Sequence, residues 1–309
     1  MKRAFFLAIL ALLALPSNAG AQQLVTVRVA AAPLDTLGNV YYALDLGYFK
    51  DAGIDIEFIA GQNAAAAVAA LAGGSADVAG GAVTSLAAAY SQGIPLTLIA
   101  AGGMNTDASR DNIIAVKADS PIAKAADLNG KTIGIAGLKT MQQVAAMSWV
   151  DHHGGDSKTL KFVEIPFPQM CSALDGGRID AITPVEPVTS SCGKSIKVLG
   201  NVLDGVAPRF IAIAYAARND WLKDNPQLAQ RFVAALVKAA VWGNSHPAES
   251  ADILVRYSKL DPAVAKAMQR SIYATTLTAN LVQPVIDASY KYGTLGKTFP
   301  AAQFIWNGK

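Results

Sequence analysis

His152 and His153, flanked by Asp151 and Asp156, form the densest run of metal-ligating side chains in the sequence. A metal site needs such groups to converge, yet adjacent residues on a helix point about 100° apart. Gly154-Gly155 follows and marks an exposed turn, so these residues read as a solvated helix end. His246 stands before Pro247, in a turn between helices, with no ligating neighbour. No G-x-G-x-x-G, Walker loop, G-x-S-x-G elbow or H-E-x-x-H occurs, so nucleotide, serine-hydrolase and zinc-peptidase chemistry have no motif to rest on. The sequence therefore assigns no catalytic residue, metal or cofactor.

Cys171 and Cys192 are the two cysteines, and they make no C-x-x-C redox motif. Whether they bond depends on compartment, which the N-terminus addresses. Met1-Lys2-Arg3 is a basic start, Ala4 to Leu15 is a run of twelve apolar residues, and Ala19-Gly20-Ala21 supplies small residues for cleavage. This is the layout of a secretory signal peptide over 1–21, cleaved after Ala21. Twelve helical residues reach roughly 18 Å, short of a bilayer core. No Cys follows the run to carry a lipid anchor, so the expected location is the periplasm. Export permits a Cys171–Cys192 disulfide; two buried free thiols are the alternative.

The chain has 309 residues, 52% apolar and 16% charged, with a net charge of +3 that falls to +1 without Lys2 and Arg3. These figures exclude a disordered tail or a small disulfide scaffold. No basic block or base-stacking motif points to nucleic acid, and a monomer is expected.

The elements that must position any site alternate between two periods. Leu24–Ala31, Ile54–Phe58, Asp77–Ala79, Leu96–Ala100, Ile113–Lys117, Lys131–Ala136, Lys161–Ile165 and Arg178–Ile182 read as strands. Between them lie helical stretches, including one capped by Asn39, Ala64–Ala72, Thr84–Ser91, Thr140–His152, Gln169–Leu174 and Pro187–Cys192. Phe210–Ala216 reads as a last strand, followed by helices over Pro226–Ser245, Pro247–Tyr257, Pro262–Tyr273 and Leu281–Tyr292. Alternation of this kind indicates α/β architecture with a largely parallel sheet.

One internal similarity organises the chain. Ala70 to Ala79 (ALAGGSADVA) resembles Ala173 to Ile182 (ALDGGRIDAI), 103 residues later. Both spell a helix end, a Gly-Gly turn and a strand opened by Asp, which fits two lobes of one design. Asp77 and Asp180 are read as securing these turns.

Several segments resemble the ABC-transporter substrate-binding proteins that handle sulfonates, nitrate, taurine and thiamine-pyrimidine precursors. Ala43 to Glu57 (ALDLGYFKDAGIDIE) is similar to their opening A-x-x-x-G-Y-F-x-x-x-G-L-x-V. Ala70 to Ala79 is similar to A-L-x-x-G-x-x-D, Asp127 to Gly134 to D-L-K-G-K-K-I-G, Gly176 to Pro187 to G-x-x-D-A-x-x-x-x-E-P, and Ala217 to Leu222 to R-x-D-W-L. The resemblance implies a two-lobed periplasmic-binding-protein fold of type II. Each lobe would hold a mixed, largely parallel sheet flanked by helices, with two crossing hinge strands between lobes. Lobe one would be 22–112 plus 209–309 and lobe two 113–208. Yeast-type pyrimidine synthases share the fold but carry a Cys-rich motif that this chain lacks.

On that fold, ligands bind where strands end and helices begin. The candidate contacts are Leu34, Asp35, Gln62, Asn63, Gly81, Val83, Thr84, Met104, Leu138, Lys139, Thr140, Met141, Thr183, Val185, Glu186 and Phe210. Asn63 and Thr84 fit helix caps as well as ligand contacts, Glu186 fits a cap of the next helix, and Phe210 fits hinge packing. Lys139, the one cation in a contact loop, fits a solvated surface residue equally. The segment Gly137 to Met141 is bulkier and more apolar than the Ser- and Gly-containing family loop, which points to an organic ligand. The implied function is capture of a sulfonate-, carboxylate- or pyrimidine-like molecule in the interlobe cleft by hinge closure, then delivery to ABC permease subunits. No turnover is expected; an exported enzyme of this fold, or a sensing partner of a membrane kinase, are the alternatives.

Overall fold

The computed structural model describes residues 24–59 and 64–308, so the signal-peptide reading of 1–21 lies outside the described residues. β1 (Val25–Ala30) leads to α1 (Gly38–Asp45), α2 (Tyr48–Asp51), β2 (Ile54–Ile59), α3 (Ala64–Ala72), β3 (Val78–Ala82), α4 (Val83–Ser91), β4 (Leu96–Ala101) and β5 (Gly103–Asn105). β6 (Ile113–Lys117), β7 (Thr132–Ile135), α5 (Met141–His152), β8 (Lys161–Glu164), α6 (Met170–Asp175), β9 (Ala181–Ile182), α7 (Val188–Cys192) and β10 (Ile196–Asn201) follow. The chain then returns through β11 (Phe210–Ile211) and β12 (Ile213–Arg218) to α8 (Asn219–Asp224), α9 (Pro226–Ser245), α10 (Pro247–Ser258), α11 (Pro262–Ala267), β13 (Ile272–Tyr273) and α12 (Ala279–Lys291).

Two five-stranded sheets result, ordered β2-β1-β3-β12-β4 and β10-β6-β9-β7-β8. Each has one strand running against the rest: β12 is antiparallel to β3 and β4, and β6 to β9 and β10. These are the strands that follow the two passages between sheets. A chain arriving from the other lobe enters at the cleft, where the parallel strands end, and so must run opposite to them. A third sheet, β11-β5-β13, joins the two passages. This is the two-lobed α/β architecture with crossing strands, flanked by helices.

The internal repeat has a structural meaning. Gly74 and Gly177 take left-handed φ of 75° and 68°, closing α3 and α6 in a conformation that favours glycine. Asp77 then accepts from Arg28 N (2.9 Å) and its guanidinium, and Asp180 accepts from Thr132 N (2.8 Å). Each aspartate thus holds its own strand, β3 or β9, to the neighbouring β1 or β7.

Several local readings need correction. Asn39 does not cap α1; it lies inside the helix, fully buried, donating to Ala101 O (3.2 Å) and accepting from Tyr215 Oη (2.7 Å). The stretch 210–216 is two strands in two sheets, because the chain passes from the crossing sheet to the first sheet at Ala212. It is also not the last strand. The helix beginning at Pro262 ends at Ala267, and β13 pairs with β5 instead. β5, β10 and β13 have too few residues, or too weak an alternation, to announce themselves. Cys171 and Cys192 form a disulfide with Cα atoms 5.5 Å apart, tying α6 to α7.

Buried apolar side chains run continuously from α4 through β11 and α12 to α5 and β7, so one packed seam joins the two sheets. Tyr292 adds a hydrogen bond to Asp151 (2.9 Å) across it. Among the described residues no helix is long and apolar enough to cross a membrane.

Candidate functional site

The strand ends of both sheets lead into helix starts, and among those without a side-chain cap are α4 in one lobe and α5 in the other. α4 begins after Ala82, which has no side chain able to cap. α5 begins after Thr140, whose hydroxyl donates to Gly137 O (2.6 Å) instead of accepting from the helix. The first N–H groups of a helix have no acceptor within it, and the dipole makes that end partly positive. One such end from each lobe is a pair of donor groups for an oxygen-rich ligand head.

Hydroxyls accompany them. Thr84, in the first turn of α4, and Thr183, directly after β9, are 4% and 1% exposed. Neither Oγ1 has a hydrogen-bond partner among the described residues. A buried polar group left unpaired costs about 1–3 kcal/mol, so two of them at corresponding strand ends need an explanation.

The other sequence candidates divide sharply. Leu34, Leu138 and Lys139 are exposed in the loops after β1 and β7. Lys139 has a φ of 57°, its N–H donates to Gln143 Oε1 (2.7 Å), and its ammonium has no ion pair among the described residues. Val185 bridges Asn112, on the first passage between sheets. Val83, Met104, Met141 and Phe210 are buried in the apolar seam, and Met104 also lines a pocket beside the crossing sheet with Arg209 and Tyr273. Phe210 sits in the crossing sheet, opposite Asn105. Gly81 belongs to β3, because that strand runs on to Ala82 and pairs with Ala214. Gln62 and Asn63 lie outside the described residues.

Glu186 is engaged inside its own lobe, accepting from Ser190 N (3.1 Å) and Ser190 Oγ (3.0 Å) at the start of α7. It also reaches Gln269 N, at 3.5 Å, across to the first lobe. Asp35 is buried, 7% exposed. Its carboxylate accepts from Arg270 Nε (3.1 Å), Ser271 N (2.7 Å) and the Tyr42 hydroxyl (3.2 Å). Burial opposes charge on Arg270, but Asp35 outweighs it and raises the Arg270 pKa. Asp35 is thus a framework residue, since its lone pairs are already used.

Sequence reasoning missed this network, whose members are scattered along the chain. Ser271 Oγ donates to Asp111 (2.9 Å), the residue that opens the passage into β6. Burial raises the Asp111 pKa, the Ser271 hydrogen bond opposing it. Asn105 joins both passages, donating to Ala207 O (3.2 Å) and accepting from Asn201 Nδ2 (2.9 Å). Glu164, at the end of β8, accepts from Leu138 N (2.6 Å) and sets a negative charge beside the α5 loop. The histidines stay local: His152 and His153 bond backbone carbonyls of Ser148 and Trp149, and His246 stacks on Trp242.

Comparison with known proteins agrees with this architecture. The formylaminopyrimidine-binding protein of Halalkalibacterium halodurans is 24% identical over 221 residues, covering 70% of this chain and 65% of that relative's own length. The periplasmic aliphatic sulphonate binding protein of Escherichia coli has a similar structure, with a TM-score of 0.76 at 18% identity, covering 91% of this chain and 92% of that one. The periplasmic nitrate-binding protein of Synechocystis PCC 6803 gives a TM-score of 0.72 at 15% identity, covering 91% and 85%. The NMT1/THI5-like family model matches residues 36–250, well over half of the sequence, and the chain belongs to that family.

Proposed function

We propose that the protein is the substrate-binding component of an ABC importer, working in the periplasm. It would take a small organic ligand between its lobes, close around it and present the closed form to the permease. The observation that carries this reading is the pair Thr84 and Thr183: buried hydroxyls without partners, one in the first turn of α4, which no side chain caps, and the other directly after β9, the neighbour of the strand β7 that leads to α5. A ligand head touching both lobes would satisfy them together. It then binds the closed arrangement better than the open one and shifts the population toward closure. Nothing in this requires a bond to be made or broken, so the reading is of a receptor and not of a catalyst.

The ligand suggested is organic. Arg270 is neutralised by Asp35, Lys139 projects into solvent, and Glu164 stands beside the α5 loop. The relatives named for a formylaminopyrimidine and for aliphatic sulphonates support the same class. We take 22–112 with 209–309 as one moving body and 113–208 as the other, with Asn105 and Asp111 at the passages between them.

The test is a thermal-melt panel of nitrate, short alkanesulfonates, carboxylates and aminopyrimidines, with small-angle scattering on any hit. Binding should raise the melting temperature and compact the particle. Consumption of a panel member, or no shift by any, would overturn the reading.

A further inference from the structure

Resting on that reading of the cleft, we propose that Leu34 and Leu138 form a pair of apolar jaws, one from each lobe. They grip the carbon body of an amphiphilic ligand whose polar head lies at the starts of α4 and α5.

Leu34 is 47% exposed and Leu138 51%, among the few large apolar side chains that the fold leaves in water. Their places correspond. β1 lies beside β3, the strand opened by Asp77, and β7 lies beside β9, the strand opened by Asp180. Leu34 follows β1 and Leu138 follows β7, each on the way to the next helix. Both loops are held by their backbones. Leu34 N donates to Ala32 O (2.8 Å) and Leu37 N to Leu34 O (3.0 Å). Leu138 N donates to Glu164 and Lys139 N to Gln143. The exposed side chains are therefore carried on pinned turns at cleft-facing strand ends.

A single exposed leucine needs no explanation, but two at matching places in two lobes do. Closure would take both out of water against whatever lies between them. The jaws thus make affinity depend on the ligand's apolar body, while the helix starts and the two threonine hydroxyls read its head. The ligand class that satisfies both is a small molecule with a hydrogen-bond-accepting head on an apolar chain or ring.

Calorimetric titration with linear alkanesulfonates from methane- to hexanesulfonate, and with the matching carboxylates, tests this. Affinity of the wild type should rise roughly fourfold per methylene until the jaws are spanned. Leu34→Ala and Leu138→Ala should each reduce that increment, and together abolish it. Both side chains are exposed, so the melting temperature of the free variants should not change. An affinity independent of chain length, or an increment that survives in the double variant, overturns the jaws. Failure of the whole series to bind also overturns them. The nitrate and aminopyrimidine arms of the melt panel then show whether the receptor reading falls too.

Discussion

Arg270 closes over Asp35 from 235 positions away in the chain, and the pair is almost wholly buried. Tyr42 lies against both members of it, donating to Asp35 and accepting from Arg270 Nη2, so the ion pair fastens the segment before β13 to the end of β1. Breaking one side of such a pair leaves an uncompensated charge in the interior. Arg270→Met should lower the unfolding free energy by about 3–5 kcal/mol, and Asp35→Asn with Arg270→Met together by less than Arg270→Met alone. Urea denaturation of the variants checks the order.

The Asp111 carboxyl titrates above its ordinary range because burial disfavours its charge. Its folded pKa is raised, so the native state holds this proton more tightly than the unfolded chain does. Stability from this group is thus present at low pH and is lost as pH rises from about 4 through the folded pKa. Asp111→Asn keeps an acceptor for Ser271 and removes the titration. The melting temperature of the variant should gain on the wild type between pH 4 and pH 7; a constant gap would refute the assignment.

Thr84→Val and Thr183→Val each replace an unpartnered hydroxyl by a methyl of nearly the same size. Free-protein stability should stay level or rise, since a buried unpaired polar atom is removed. Ligand affinity should fall roughly 5- to 30-fold for each, the loss expected for about 1–2 kcal/mol. Calorimetry with the best panel ligand, set beside unfolding curves, separates the two effects.

Cys171→Ser with Cys192→Ser opens the tie between α6 and α7. In the chain-entropy picture this costs about 3 kcal/mol for a loop of this length. Reduction of the wild type by dithiothreitol should give the same downward shift in melting temperature, and the double variant should ignore the reductant.

Much of the architecture was legible in local periodicity. α3, β6 and α9 coincide with their sequence readings residue for residue, because each carries an uninterrupted pattern between clear stops. The Gly-Gly-x-x-Asp repeat was legible as turn chemistry, and Asp77 and Asp180 do secure the strands that follow. Legibility failed where pairing partners are distant. β13 has two residues and exists only because β5 lies beside it. Asn39 looks like a cap because caps favour asparagine, yet its amide is used across the core, by Ala101 and Tyr215.

The site divides in the same way. Sequence alone determined which loops follow strands, and so placed Leu34, Leu138, Thr84 and Thr183 among the candidates, since strand-then-helix order is a local property. Only the tertiary structure decided which of those side chains remain available. Asp35 looked like a ligand contact until Arg270 and Ser271 arrived to use its oxygens, while Thr84 and Thr183 stay candidates because burial leaves their hydroxyls unpaired. Whether a polar group is free depends on what the rest of the chain brings to it, and residues hundreds of positions away leave no mark on local sequence.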